Sequence, residues 1–152
     1  MKRYFSRISI GLMALGLTGL IVLTALSASL PFHLVEHGTL TPGPDGTIIA
    51  EGTGVATHLG RLTVHRTFTL TPTTAGTDLE VNGQATLTAA NGDRLESSIK
   101  GTLNPQTGHA VLIYEWNGGT GRFQNSTGTT VWLVEVHADQ TYDVVADGII
   151  NY

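Results

Sequence analysis

Residues 79–103 read LEVNGQATLTAANGDRLESSIKGTL, two runs of alternating apolar and polar residues on either side of one turn sequence. Alternation with a period of two is typical of a β-strand that has one buried face and one wet face. The turn sequence contains Asn91-Gly92, and both residue types tolerate positive φ angles. The stretch therefore predicts an antiparallel hairpin with strands over residues 79–89 and 94–103.

Six further runs of the same kind lie outside this hairpin, at Phe32–Leu40, Thr47–His58, Arg61–Thr71, His109–Asn117, Gly128–His137 and Tyr142–Asn151. Short segments rich in Gly, Pro, Asn and Asp separate them, as expected between strands. Eight strands with short links favour a meander, and closing such a sheet removes its exposed edges. We therefore predict an all-β fold, a single eight-stranded antiparallel up-and-down barrel over residues 30–152.

The composition agrees with this fold class. Charged residues make up 13% of the chain, against about 25% in an average soluble protein, while 19 glycines supply turn residues. The chain has no cysteine, so packing without disulfides must stabilise the barrel.

The first 29 residues have the features of an export signal. Lys2, Arg3 and Arg7 precede an uncharged, largely apolar segment over residues 8–26, and Ser27-Ala28-Ser29 supplies small residues for cleavage. Residues 1–29 are therefore predicted to be a signal peptide. The alternative is an uncleaved anchor, because 19 residues are enough to span a bilayer. Either alternative places the domain outside the cytoplasm.

Without that segment, five Lys and Arg residues remain against 12 acids, a net charge of −7. A chain with no basic stripe is a poor ligand for nucleic acid, and no polybasic patch is present to bind anionic lipid. We expect no nucleic-acid partner, and contact with a membrane only through residues 8–26 if they are retained.

The runs His109–Asn117 and Gly128–His137 are apolar on both faces. A strand of this kind is usually covered on both sides. Either a loop or the amino-terminal segment covers the outer face, or the face is a subunit contact in a homo-oligomer.

The segment GGTGRFQNSTG, residues 118–128, resembles the Gly-Gly-Thr-Gly-x-Phe-x-x-Ala-x-Gly segment of plant dirigent proteins and allene oxide cyclases. Together with residues 54–61, 85–93 and 147–152, it is similar to exported bacterial proteins of that barrel type. The resemblance implies a calycin-like eight-stranded barrel and an enzyme of the cyclase or isomerase class. Ser126 departs from the plant pattern, and none of the plant catalytic residues can be matched here.

The same segment has a physical interpretation as a structural glycine loop. Its glycines allow sharp turns, and we expect the loop to place the Phe123 ring as a plug at one end of the barrel. The loop residues are Gly118, Gly119, Gly121, Phe123 and Gly128.

One arginine falls among the apolar inward positions. Arg66 shares a face with Leu62, Val64 and Phe68, and a buried charge is costly unless it is paired. We predict that Arg66 points into the lumen and meets an acid, of which the candidates are Glu36, Glu115 and Glu135. The alternative is a bulge, or an extended side chain, that takes the guanidinium to solvent. The predicted ligand-binding residues of the lumen are Arg66, Phe68, Glu115, Trp116 and Glu135.

Small residues at inward positions bear on the width of the lumen. These residues are Gly83, Ala85, Ser97 and Gly101. They either fit a lumen that narrows at this level or leave room for a ligand.

The pentapeptide His33-Leu-Val-Glu36-His37 matches a zinc-protease pattern that requires a helix. In a strand the two histidines lie about 13 Å apart, too far to share a metal ion. We therefore predict no metal and no cofactor.

Three functions follow from these observations. The first is a secreted barrel that binds a small apolar molecule in its lumen or serves as a structural surface module. The second is an enzyme of the cyclase or isomerase class. The third is a protein-interaction module that uses the apolar outer sheet around Trp116 and Trp132.

Overall fold

A computed structural model describes residues 28–74 and 76–152 of the chain. The apolar segment predicted to direct export, residues 8–26, lies outside the described residues. No helix in the described part of the chain is long and apolar enough to span a membrane.

Eight antiparallel strands form one closed barrel in which each strand pairs with its neighbours in the sequence and the last pairs with the first. The predicted all-β, eight-stranded up-and-down barrel is therefore confirmed. The strands are β1 Leu30–Pro42, β2 Ile48–Ala56, β3 Gly60–Pro72, β4 Leu79–Ala89, β5 Arg94–Leu103, β6 His109–Gly119, β7 Thr129–Val136 and β8 Thr141–Ile150.

The β4–β5 hairpin shows how the sequence sets the register. Leu87 pairs with Leu95 across the turn, so the apolar faces of both strands point inward together. Only Gly92 of the Asn-Gly pair has a positive φ, at 87°. The Asn91 side chain instead accepts a hydrogen bond from the backbone N–H of Asp93 at 3.1 Å, which closes the turn.

The two ends of the barrel differ in packing. Turns after β2, β4 and β6 form what we call the closed end, where large side chains are fully or almost fully buried: Phe32, Leu59, Leu95, Trp116, Phe123 and Ile150. Turns after β1, β3, β5 and β7 form the open end. The apolar side chains that point into the lumen there are only partly buried: Leu40, Phe68, Leu70, Leu103, Val134 and Val136.

The outer surface carries a continuous apolar row across five neighbouring strands. Its members are paired directly across β6, β7, β8, β1 and β2, and they are Val111, Leu133, Val145, Val35 and Val55. Each is between 44% and 58% exposed. The prediction that a loop covers this face is therefore wrong for the described residues. Cover by the amino-terminal segment or by a second subunit stays a prediction.

Candidate functional site

A cavity of about 170 Å³ occupies the open half of the lumen. Twelve apolar side chains line it, together with Arg66, Tyr114 and Tyr142. It opens towards solvent at the open end, where the rim residues Leu40, Leu70 and Leu103 remain partly exposed. An empty apolar cavity of about 150 Å³ is large enough to hold benzene. The space therefore suits a small apolar molecule.

The floor of this cavity is an ion pair between β1 and β3. Arg66 Nη1 donates to Glu36 Oε1 at 2.7 Å, and Nη2 donates to Oε2 at 2.5 Å. The side chains of Arg66 and Glu36 are 4% and 0% exposed. This two-pronged geometry is the strongest form of an Arg–carboxylate contact, and it neutralises both charges away from water.

Two tyrosines complete the floor. Tyr142 OH donates to Glu36 Oε1 at 2.7 Å and accepts from Arg66 Nη1 at 2.9 Å. Tyr114 OH accepts from Arg66 Nε at 2.5 Å. Every nitrogen of the guanidinium is thus bonded within the layer, which we call the polar floor: Glu36, Arg66, Tyr114 and Tyr142.

The ion pair reaches across an intervening strand. Glu36 lies on β1 and Arg66 on β3, and the inward positions of β2 between them are Ala50, Gly52 and Gly54. A Cβ atom on Gly52 would lie 2.3 Å from Glu36 Oε1, and one on Gly38 would lie 2.4 Å from Tyr142 OH. Small inward residues therefore create the space in which the polar floor forms.

Aromatic rings hold the floor in place. The Tyr114 ring stacks on Trp132 with centroids 4.0 Å apart, and the Arg66 guanidinium carbon lies 5.0 Å from the centroid of the Trp132 ring. Trp132 Nε1 in turn donates to Thr130 Oγ1 at 2.7 Å. A cation over a tryptophan face is stabilised by the ring quadrupole, so Trp132 fixes Tyr114 and Arg66 together.

Burial and charge set the protonation of these groups. Burial alone would lower the pKa of Arg66, but the oxygens of Tyr114 and Glu36 raise it above its usual range, so the guanidinium stays charged. Burial raises the pKa of Tyr114 to about 12 and moves that of Tyr142 upward as well. Both tyrosines therefore keep their protons at neutral pH, and Tyr142 donates its proton to Glu36.

The predicted lumen residues fall into three places. Arg66 forms the floor and Phe68 lines the cavity. Trp116 faces inward but lies in the closed half, where its ring is 5.1 Å from Phe32. Glu115 and Glu135 are exposed on the outer surface. The predicted contact of these two acids with Arg66 is wrong, because each lies next to an inward residue on its strand and therefore points outward. The alternative in which the Arg66 guanidinium reaches solvent is also wrong, because the side chain is buried.

Three residues of the floor were absent from the predicted ligand-binding set, although alternation could have found them. Glu36 shares the inward face of β1 with Phe32 and Leu34, and the role predicted for it is that of a partner for Arg66. Tyr114 lies between two exposed neighbours on β6, and Tyr142 lies between a partly exposed and an exposed neighbour on β8.

None of the four small inward residues singled out from the sequence lines the cavity; they are Gly83, Ala85, Ser97 and Gly101. A Cβ atom on Gly83 would lie 2.5 Å from Phe68 Cβ, and one on Gly101 would lie 2.8 Å from Leu112 Cα. These two glycines therefore permit close packing of neighbouring strands, while Ala50 and Ala110 line the cavity itself.

The glycine loop lies at the closed end, away from the cavity. Phe123 is fully buried there, with its ring 5.1 Å from that of Tyr152. Gly121 has φ of 58°, and a Cβ atom on it would lie 2.1 Å from Asp93 Oδ1. Arg122 is exposed and donates to the carbonyl of His58. The loop therefore seals one end of the barrel.

The zinc-like pentapeptide lies within β1, so its side chains alternate between faces. Glu36 points inward, while His33 and His37 are exposed; His33 Nδ1 lies 2.7 Å from Asp147 Oδ1. The three cannot share a metal ion. Within residues 28–74 and 76–152, no group of three or more His, Asp or Glu side chains could hold one.

Comparison with known proteins assigns this chain to no family. No protein-family model matches the chain, and no curated protein is significantly similar to it in sequence. The resemblance of residues 118–128 to dirigent proteins and allene oxide cyclases stays a prediction.

Proposed function

We propose that this protein is an exported barrel that binds a small, largely apolar molecule in the open half of its lumen. The observation that carries the proposal is the apolar cavity of about 170 Å³ above a buried floor in which Arg66 is paired with Glu36. Protein interiors are normally packed with few voids larger than a water molecule, and cavities reduce stability. An open cavity with an ordered floor is therefore better explained by an occupant than by folding alone.

The floor favours binding over proton-transfer chemistry. Glu36 is a buried carboxylate, and both of its oxygens are bonded to Arg66 or Tyr142. Tyr114 and Tyr142 have raised pKa values, so neither is a ready base at neutral pH. A cyclase or isomerase would have to work by shaping its substrate inside the lumen. Such activity is the second proposal, and turnover of a bound molecule would distinguish it from simple binding.

The location outside the cytoplasm is part of the same proposal. It is supported by the positive start, the uncharged residues 8–26 and the small residues at 27–29. A carrier outside the cytoplasm would encounter small apolar molecules that dissolve poorly in water.

The test uses two matched variants on neighbouring positions of β7. Val134 lines the cavity and Leu133 lies on the outer row, so Val134→Phe adds volume inside while Leu133→Phe adds a similar ring outside. Binding of isopropylbenzene is measured by NMR titration of the full chain. We expect Val134→Phe to weaken binding at least about 10-fold, because the ligand loses the contacts of two or more buried CH₂ groups. We expect Leu133→Phe to leave binding unchanged.

Two outcomes oppose the proposal. If the unaltered protein binds no apolar probe, the barrel is better explained as a structural surface module. If Val134→Phe binds as well as the unaltered protein, the probe occupies another place. Native mass spectrometry of the protein from its own host would then identify any molecule that purifies with it.

A further inference from the structure

The hydroxyl of Tyr114 has one unused hydrogen-bonding group at the cavity floor. A tyrosine hydroxyl can donate one hydrogen bond and accept others. Tyr114 OH accepts from Arg66 Nε at 2.5 Å, but no described residue accepts its proton. Tyr142 differs, because its proton goes to Glu36 Oε1 at 2.7 Å. Buried tyrosine hydroxyls usually have a partner for their proton, and Tyr114 is one of the residues that line the cavity.

From this free donor, and resting on the proposed binding in the lumen, we infer that the ligand is an apolar molecule with one neutral acceptor oxygen. A ketone, an aldehyde, an ether and an epoxide have this chemistry. The oxygen accepts the Tyr114 proton, and the apolar body fills the space between the floor and the rim. Tyr114 is then the residue that orients the ligand.

The other groups of the floor exclude charged ligands. Glu36 already neutralises Arg66 through two hydrogen bonds, so no positive charge is left over for a carboxylate or a phosphate. Arg66 likewise neutralises Glu36 through two hydrogen bonds, so no negative charge is left over for an ammonium group. A buried charge without a partner is costly, and the remaining lining is apolar.

The environment also strengthens Tyr114 as a donor. Its oxygen accepts a hydrogen bond from a cation, and chains of hydrogen bonds polarise one another in a dry site. The ring cannot turn away easily, because it stacks on Trp132 with centroids 4.0 Å apart. The position of the hydroxyl oxygen is therefore held before a ligand enters.

The experiment compares two molecules of nearly the same shape. Acetophenone carries a C=O group where α-methylstyrene carries C=CH₂, and both extend a benzene ring by a short branch. Dissociation constants for both are measured by NMR titration with the full chain and with Tyr114→Phe. We expect the variant to lose about 2- to 10-fold in affinity for acetophenone relative to α-methylstyrene, as expected for one neutral hydrogen bond.

A second measurement needs no variant, because Tyr114→Phe removes the acceptor of Arg66 Nε and the variant could fail to fold. The carbonyl ¹³C resonance of labelled acetophenone is recorded while it is bound to the unaltered protein. We expect a shift towards the value in a hydrogen-bonding solvent. A shift equal to that in a hydrocarbon overturns the inference.

The outcomes separate this inference from the proposed function. If both molecules bind, but the carbonyl signal is hydrocarbon-like or Tyr114→Phe leaves their ratio unchanged, the cavity binds apolar ligands without using Tyr114. If neither molecule binds the unaltered protein, the proposed lumen binding fails as well.

Discussion

The closed and open halves of the lumen are made from the same alternating pattern, yet one is solid and the other hollow. In the closed half the inward positions carry aromatic rings such as Phe32, Trp116 and Phe123. In the open half they carry mainly aliphatic side chains, including Leu40 and Leu70, with alanines between them. Alternation decides which side chains face the axis, but their summed volume decides whether the interior is filled.

The polar floor lies where these two halves meet. From the closed side it is shielded by Trp132, which is fully buried, and from the open side it forms the base of the cavity. A buried ion pair adds little net stability by itself, because desolvation offsets the attraction between the charges. We therefore attribute to the floor a role in fixing the cavity rather than in holding the barrel together.

The largest expected effect comes from two phenylalanines, one in each half. Phe123 is fully buried at the closed end, and its replacement by Ala should cost about 3–5 kcal/mol of unfolding free energy. Phe68 borders the cavity and already lacks neighbours on one side, so Phe68→Ala should cost less than half as much. Urea denaturation of both variants measures the difference. Equal losses would contradict the contrast between the halves.

Removing one partner of the floor should also destabilise the barrel. Arg66→Met leaves Glu36 buried without its cation, and we expect a loss of about 3–5 kcal/mol. Combining it with Glu36→Leu should restore part of that stability, because no unpaired charge remains. Denaturation of the single and double variants checks this. A double variant weaker than both single variants would mean that the floor holds the barrel together.

Stability should also fall at high pH because of the floor tyrosines. In the folded protein burial raises the pKa of Tyr114 to about 12, whereas the unfolded chain ionises near the ordinary value of 10. The contribution of this group is therefore complete below pH 10 and is lost as the pH rises towards 12, by at most about 1.4 kcal/mol per pH unit. Urea denaturation at several pH values between 9 and 12 measures whether the unfolding free energy falls as the pH rises. The Tyr152→Phe variant, changed at the surface, is the control.

The fold could be predicted because strand pairing repeats one local rule. The hairpin over residues 79–103 matches β4 and β5 in both its strands and its inward face. The same alternation also predicts that the Arg66 side chain points into the lumen. Alternation also places Glu36, one of the three candidate partners, on an inward face, but it does not show that Glu36 reaches Arg66 two strands away across Gly52 and Gly54. Alternation also does not predict whether the lumen contains a cavity, because the volume of a lumen depends on the side chains of all eight strands at once.

The smallest expected effect comes from adding volume to an alanine in each half. Ala89 is 4% exposed near the closed end, and Ala89→Leu should cost about 1–3 kcal/mol because the surrounding packing leaves no space for a larger side chain. Ala110 lines the cavity, so the larger side chain of Ala110→Leu enters empty space and its cost should fall below that range. Denaturation gives both values, and titration with isopropylbenzene should show weaker binding by Ala110→Leu alone. If Ala110→Leu is as costly as Ala89→Leu, the open half is packed more tightly than its lining indicates, and the contrast between the two halves fails where the ligand is proposed to bind.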